Sequence, residues 1–215
     1  MNLVQNEQPY HLDPFQKVIA AEVLANAFQN DPMYRYVIPN DEQRERNLIW
    51  LMRKVVQYSL LYGRVYIASG NEGVICWLPP GRAKLTTGGI IRTGLFTIVL
   101  RFGVSAYRRF HDNLSYTDQV HDHYAPKPHW YLWAIGVDPS HQGKGVGGKL
   151  LMPIISLSSN DGTPCYLETH NEKNIQFYEK HGFKIVNEGK IPKHGLRVWA
   201  LLRDPQPLPL NEHSR

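Results

Sequence analysis

The chain has 215 residues, 42% of them hydrophobic and 20% charged, with a net charge of +5. That composition suits one domain with a sizeable core, and the mild positive balance fits an anionic small ligand without requiring nucleic acid. Two distant cysteines, Cys76 and Cys165, with no C-x-x-C or Cys/His spacing, argue against a disulfide framework and a structural zinc.

The opening MNLVQNEQPYHLDPF lacks the basic-then-apolar order of a secretion signal. The apolar run LFTIVL, 95–100, is far shorter than the ~20 residues of a membrane span, so a cytoplasmic protein is expected. Residues 13–29 read as a helix with Asp13 as N-cap and Pro14 in the first turn. Phe15, Ile19, Val23 and Ala27 form its apolar stripe, and Asp31-Pro32 ends it. A second helix runs from about Asp41 to Tyr62 and stops at Gly63. RVYIA (64–68) and VICWL (74–78) flank the turn SGNEG and predict a hairpin.

Residues 81–110 hold six basic side chains (Arg82, Lys84, Arg92, Arg101, Arg108, Arg109) and no acid. Three readings stay open: a pair of amphipathic helices with solvated basic faces, a lid over an anionic ligand, or a membrane-surface helix. After the turn APKP (125–128), WYLWAIGV (130–137) is apolar on both faces and predicts a central strand. A helix from about Lys144 to Asn160 follows, with Pro153 predicting a kink or a short first piece. PCYLETH (164–170) predicts a strand and NEKNIQFYEKHG (171–182) a short helix. FKIVNE (183–188) and LRVWALL (196–202) predict a final hairpin, and DPQPLPLNEHSR a frayed tail.

Between strand and helix lies HQGKGVGGKL, 141–150. Gly143, Gly145 and Gly148 spell the dinucleotide pattern G-x-G-x-x-G. Gly143, Gly148 and Lys149 spell the start of a triphosphate loop. Gln142, Gly145 and Gly147 spell Q-x-x-G-x-G, a pyrophosphate loop of acetyl-coenzyme A users. All three hold phosphate on backbone N–H groups at a helix N-terminus. The triphosphate loop needs Ser or Thr where Leu150 stands. The dinucleotide reading has an acid, Glu168, at the right distance, but DPSHQ separates Val137 from Gly143, and a helix and two antiparallel strands do not continue a doubly wound sheet. The third reading fits without strain, with Lys144 and Lys149 adding positive charge; a glycine turn with no ligand is the plain alternative.

The runs GVDPSHQGKGVGGKLL and LETHNEKNIQFYEKHGF resemble the core of the GCN5-related N-acetyltransferases, the GNAT superfamily, and within it puromycin N-acetyltransferase-like members. The features shared are Trp130, the HQGKG loop, Pro153, LET at 167–169 and FYEKHGF at 177–183. The resemblance covers 128–204; AFQNDP (27–32) and VICWLPP (74–80) are weaker echoes, and 81–124 has no counterpart. It implies one α/β domain over 1–215, with 81–128 as a divergent acceptor-side segment and 205–215 as a flexible tail. Its fold would be a mixed central sheet, helices on both faces, whose strands WYLWAIGV and PCYLETH splay apart.

The resemblance implies acetyl-CoA as co-substrate, no metal, and direct attack by a primary amine in a ternary complex. Pantetheine would pair with the backbone of Ile135, Gly136 and Val137. The loop Gln142, Gly143, Lys144, Gly145, Val146, Gly147 and Gly148 would hold the pyrophosphate. Tyr178 would serve the departing thiolate as acid, and Asn171 and Asn174 would contact the cofactor. No carboxylate stands on WYLWAIGV, where many relatives carry one. Strand alternation puts Tyr166, Glu168 and His170 on one face, so Glu168 is the next candidate base; a structural hydrogen-bonding role stays open for it. His170 and His129 are candidate water-linked relays, and His121-Asp122-His123 reads as solvated rather than metal-binding. A small-molecule amine is expected as acceptor rather than a protein, with no nucleic-acid or membrane partner and a homodimer possible. A non-catalytic CoA-binding sensor and a dinucleotide-dependent oxidoreductase are the alternatives.

Overall fold

The structure, a computed structural model, describes residues 8–206. The expected tail, 205–215, lies outside the described residues from 207 onward. Asp13 caps a 3-10 turn, Pro14–Gln16, through a capping box closed by Gln16, and α1 (Lys17–Phe28) continues from it. The apolar stripe of α1 differs from expectation: Phe15 is 95% exposed and Ile19 is also exposed. A strict four-residue period drifts around a helix of 3.6 residues per turn. The buried face is Ala20, Ala21, Val23, Leu24 and Ala25. Small residues there let α1 approach the sheet so closely that a Cβ on Gly136 would meet Ala27 at 2.7 Å.

Asp31-Pro32, expected to end a helix, also begins one. Asp31 accepts from Met33 N–H and caps α2 (Pro32–Val37). α3 (Asp41–Tyr62) runs from an Asn40 cap to Gly63, as expected. Its Arg44 is buried, donating to the carbonyls of Gln29, Ile38 and Pro39 and pairing with Asp41. It thereby ties the turn that carries Asp31 to α3.

β1 (Tyr10–His11) edges the hairpin of β2 (Arg64–Ile67) and β3 (Gly73–Leu78). The basic segment forms three helices rather than two: α4 (Thr87–Thr93), α5 (Ile98–Phe102) and α6 (Val104–Tyr124). α6 extends through 111–124, for which the sequence reading names no element, burying Ala106, Phe110, Asn113, Val120 and His121 at helical spacing. Beyond it come β4 (Trp130–Val137), α7 (Val146–Asp161), β5 (Cys165–Thr169), α8 (Ile175–Lys180), β6 (Lys184–Lys190) and β7 (Arg197–Arg203). Pro153 does not break α7. Pro153 has no N–H to offer the carbonyl of Lys149, an exposed residue one turn earlier.

The seven strands form one sheet in the order β1-β2-β3-β4-β5-β7-β6. β4–β5 is the parallel pair; the others are antiparallel. That mixed order overturns the doubly wound sheet of the dinucleotide alternative. α1, α3 and α6 pack on one face, where Leu24, Leu51 and Phe110 meet Tyr131, Trp133 and Ala134. α7 and α8 pack on the other, where Leu150, Ile154 and Tyr178 meet Leu132 and Leu167. Trp133 and Ala134, adjacent in sequence, share a face because β4 bulges: Cys76 pairs with Ala134 and Trp77 with Leu132. Among the described residues no helix is long and apolar enough to cross a membrane.

Cys76 and Cys165 are free, buried thiols, and burial pushes them up to about 12 and about 11. A thiol reagent at about pH 8 should leave both unreacted in the native protein and label both after unfolding. Rapid labelling of either in the native state would contradict this burial.

Candidate functional site

β4 and β5 pair only at Trp130–Cys165 and Tyr131–Tyr166, then separate. From Leu132 and Leu167 onward, each is hydrogen-bonded only to its outer neighbour, β3 or β7. A cavity of about 500 Å³ occupies the region where they part. Both faces of the sheet line it: Trp133 and Glu168 from the α6 face, Leu167 and Tyr178 from the α7–α8 face. The gap therefore connects two sides that a continuous sheet would keep apart.

α7 starts at one end of this gap. Its N-cap, Gly145, has φ +81 and no side chain to satisfy the first-turn N–H groups, and no acid stands in that turn. Open amides and the positive end of a 16-residue helix suit a phosphate. A Cβ on Gly143 or Gly145 would meet nothing within 4 Å. Gly147 and Gly148 serve a different purpose from close ligand approach. A Cβ on Gly147 would lie 3.2 Å from Phe177, and one on Gly148 2.8 Å from His181, so these glycines let α7 pack against α8. Gln142 donates to the carbonyl of Val137 at 3.1 Å. This bond ties the loop to β4 and occupies one acceptor of the strand edge assigned to pantetheine.

Two carboxyl groups line the cavity, Asp31 and Glu168. Burial pushes Asp31 up to about 6, against the pull of the Met33 and Tyr34 amides. Tyr178 is buried, and burial followed by the charge of Asp31 holds its phenol well above the usual range. Tyr34 is raised for the same two reasons.

The Glu168 side chain is 6% exposed. Its Oε1 has no hydrogen-bond partner and lies 3.4 Å from His121 Nδ1, at ion-pair distance. Tyr131 and Tyr166 surround it, their phenols raised by burial and then by its charge. His121 Nε2 meets His129 Nε2 at 2.9 Å, and His129 Nδ1 meets the Pro126 carbonyl at 2.5 Å. Burial lowers His129, so it is neutral at pH 7. The hydrogen bonds then assign the protons. The carbonyl only accepts, so His129 Nδ1 carries its proton and His129 Nε2 accepts from His121 Nε2. His121 Nδ1 is left facing the Glu168 carboxyl group at 3.4 Å. A chain of buried groups thus runs from the cavity to Pro126, an exposed residue.

Residues 103–183 match the profile of the Acetyltransferase (GNAT) family. The chain is also similar, at 28% identity over 199 residues, to an uncharacterized N-acetyltransferase of Schizosaccharomyces pombe, covering 87% of this chain and 79% of that one. Both findings support membership of the GNAT superfamily. It is an acyltransferase, of a family that uses acetyl-CoA. A probable serine/threonine-protein kinase of Dictyostelium discoideum is similar at 23% identity, but there the chain spans only 20% of the relative. The structure of histone acetyltransferase HPA2 and related acetyltransferase from Corynebacterium glutamicum has the same fold, with a TM-score of 0.66, 24% identity, and coverage of 94% of this chain and 99% of that one.

The family match takes in α6, within the stretch 81–124 that has no counterpart by sequence resemblance. The acetyltransferase divides its predicted site residues into two groups. Tyr178, Glu168, Ile135, Asn174 and His170 line the cavity. Asn171 does not: it caps the turn before α8, its side chain accepting from Lys173 N–H. Lys144 reaches back to the Ser140 carbonyl from an exposed position. His170 Nε2 has no partner, and burial, then the charge of His194, lowers His170 to about 4, which makes it a weak base. None of the six basic side chains of 81–110 lines the cavity; Lys84 pairs with Asp122, and Arg109 holds the Val37 carbonyl. His121, expected on a solvated loop, lies in the buried chain. Asp31 and Tyr131 carry no site role in the sequence reading; the only signal for Asp31 is an Asp-Pro step, which serves as a helix cap as readily as a stop. No group of three His, Cys, Asp or Glu suited to a metal occurs among the described residues.

An alanine at Gly145 would put a β-carbon into left-handed backbone, at a cost of about 1–2 kcal/mol. Gly145→Ala should therefore weaken acetyl-CoA binding by about tenfold in calorimetry. Gly162→Ala, equally left-handed at the far end of α7, should leave affinity unchanged. Equal binding by wild type and Gly145→Ala would contradict a phosphate role for this turn.

Proposed function

We propose that this enzyme transfers the acetyl group of acetyl-CoA to the primary amine of a small molecule by direct attack in a ternary complex. The observation that carries the reading is the cavity through the sheet, lined by Tyr178 from one face and Glu168 from the other. A donor and an acceptor bound on opposite sides of a sheet can meet only through such an opening. The pyrophosphate would lie on the α7 amides and the pantetheine arm along the free edge of β4. Amides of β4 that lack a β5 partner offer donors to the thioester oxygen as it gains charge.

Tyr178 would donate to the departing thiolate. Its burial keeps the phenol protonated at neutral pH, so it is always available as a donor. Glu168 would take a proton from the bound ammonium and free the amine to attack, while His121, held by His129 and the Pro126 carbonyl, orients the carboxylate. No acyl-enzyme is needed: both cysteines are buried and neither lines the cavity. Their free state fits a reducing, cytoplasmic setting. One shared sheet supports a single catalytic domain, with α4–α6 as its acceptor side.

Release of coenzyme A thiol and the mass of the acetylated product, read over a panel of amines, test the proposal. Tyr178→Phe should lower kcat by at least about tenfold, and Glu168→Gln by about a hundredfold, with the KM for acetyl-CoA little changed. Full activity in Glu168→Gln would remove it as the base. Acetyl-CoA binding without turnover of any amine would instead favour a sensor.

A further inference from the structure

The cavity has a polar floor and an apolar wall. At the sheet lie Asp31, Glu168, His170, Asn174 and Tyr178. α4–α6 and the stretches beside them contribute Leu85, Ile90, Phe96, Val99, Phe110 and Leu114, with His111, Asn113 and Thr117 as the polar groups among them. Among the described residues, Asp31 and Glu168 are the only carboxyl side chains that line the cavity, and no Lys or Arg does. Glu168 Oε1 is buried without a hydrogen-bond partner.

We propose that the acceptor is a primary monoamine carried on an apolar body of about aromatic size, its ammonium bound by Asp31 and Glu168 and its body seated on the α4–α6 wall. The inference rests on the acetyl-transfer reading and extends it to the substrate class. A single ammonium finds carboxylates at the floor, where the acetyl group is delivered. A second ammonium further along a polyamine would lie against Phe96, Val99 and Leu114 with no carboxylate beside it. Beside the exposed Phe96 and Leu114 it would stay in water and gain no charged partner. At about 500 Å³ the space is that of a small-ligand pocket.

The test compares kcat/KM for 2-phenylethylamine, ethanolamine, spermidine and a lysine-bearing peptide, with acetyl-CoA as donor. 2-Phenylethylamine should exceed each of the others by at least about tenfold. Asp31→Asn keeps a capping side chain on α2, and it should raise the KM for 2-phenylethylamine about tenfold while leaving that for acetyl-CoA unchanged. Phe96 is 61% exposed, so Phe96→Glu is compatible with folding. By adding a carboxylate to the wall, it should move the preference toward spermidine by about fivefold. Equal or better turnover of ethanolamine, spermidine or the peptide by the wild type would overturn the substrate class and leave acetyl transfer standing. An unchanged amine KM in Asp31→Asn would overturn the ammonium assignment. Failure to acetylate any of the four would count against the acetyl-transfer reading itself.

Discussion

Two parallel strands that pair for two residues and then part organise the whole molecule. Once β4 leaves β5 after Tyr131 and Tyr166, the facing strand edges have backbone groups with no partner in the sheet. Unpaired amides and carbonyls in a protein interior are costly unless something satisfies them. The chain supplies part of the answer itself, as Gln142 does for Val137. An extended amide-bearing ligand would complete the rest, and the pantetheine of the proposed donor has that chemistry. The bulge at Trp133 accompanies this departure from regular pairing.

In the proposed reaction the gap would let groups with different surroundings work together. Tyr178 sits in the apolar α7–α8 layer and stays protonated. Glu168 sits among phenols and imidazoles on the α6 side. The difference comes from strand alternation: Leu167 turns to one face of β5 and Glu168 to the other. His121 makes α6 more than a covering helix, because it links the carboxylate to His129 and Pro126.

Much of the frame is legible in the sequence. The limits of α3 follow from Asn40 and Gly63, and those of β4 from the proline-rich turn before it and Asp-Pro after it. The separation of β4 from β5 is not readable from composition or periodicity; it follows from family resemblance alone. Gly147 and Gly148 match a phosphate pattern, yet they accommodate α8, because one missing side chain serves either need equally well. Asn171 matches a cofactor-contacting position and is spent on a cap. The acceptor half is least legible. α6 interleaves charged and apolar residues, so its buried face and His121 emerge only when it is packed, and Asp31 looks like punctuation until Tyr178 is brought beside it.

Amide hydrogen exchange with and without acetyl-CoA tests the central claim most directly. Bound acetyl-CoA should slow exchange at the first-turn amides of α7, 146–148, and along β4 from Leu132 to Val137, with β6 unaffected. Protection confined to other parts of the chain, with β4 unchanged, would contradict a ligand threaded between the diverging strands.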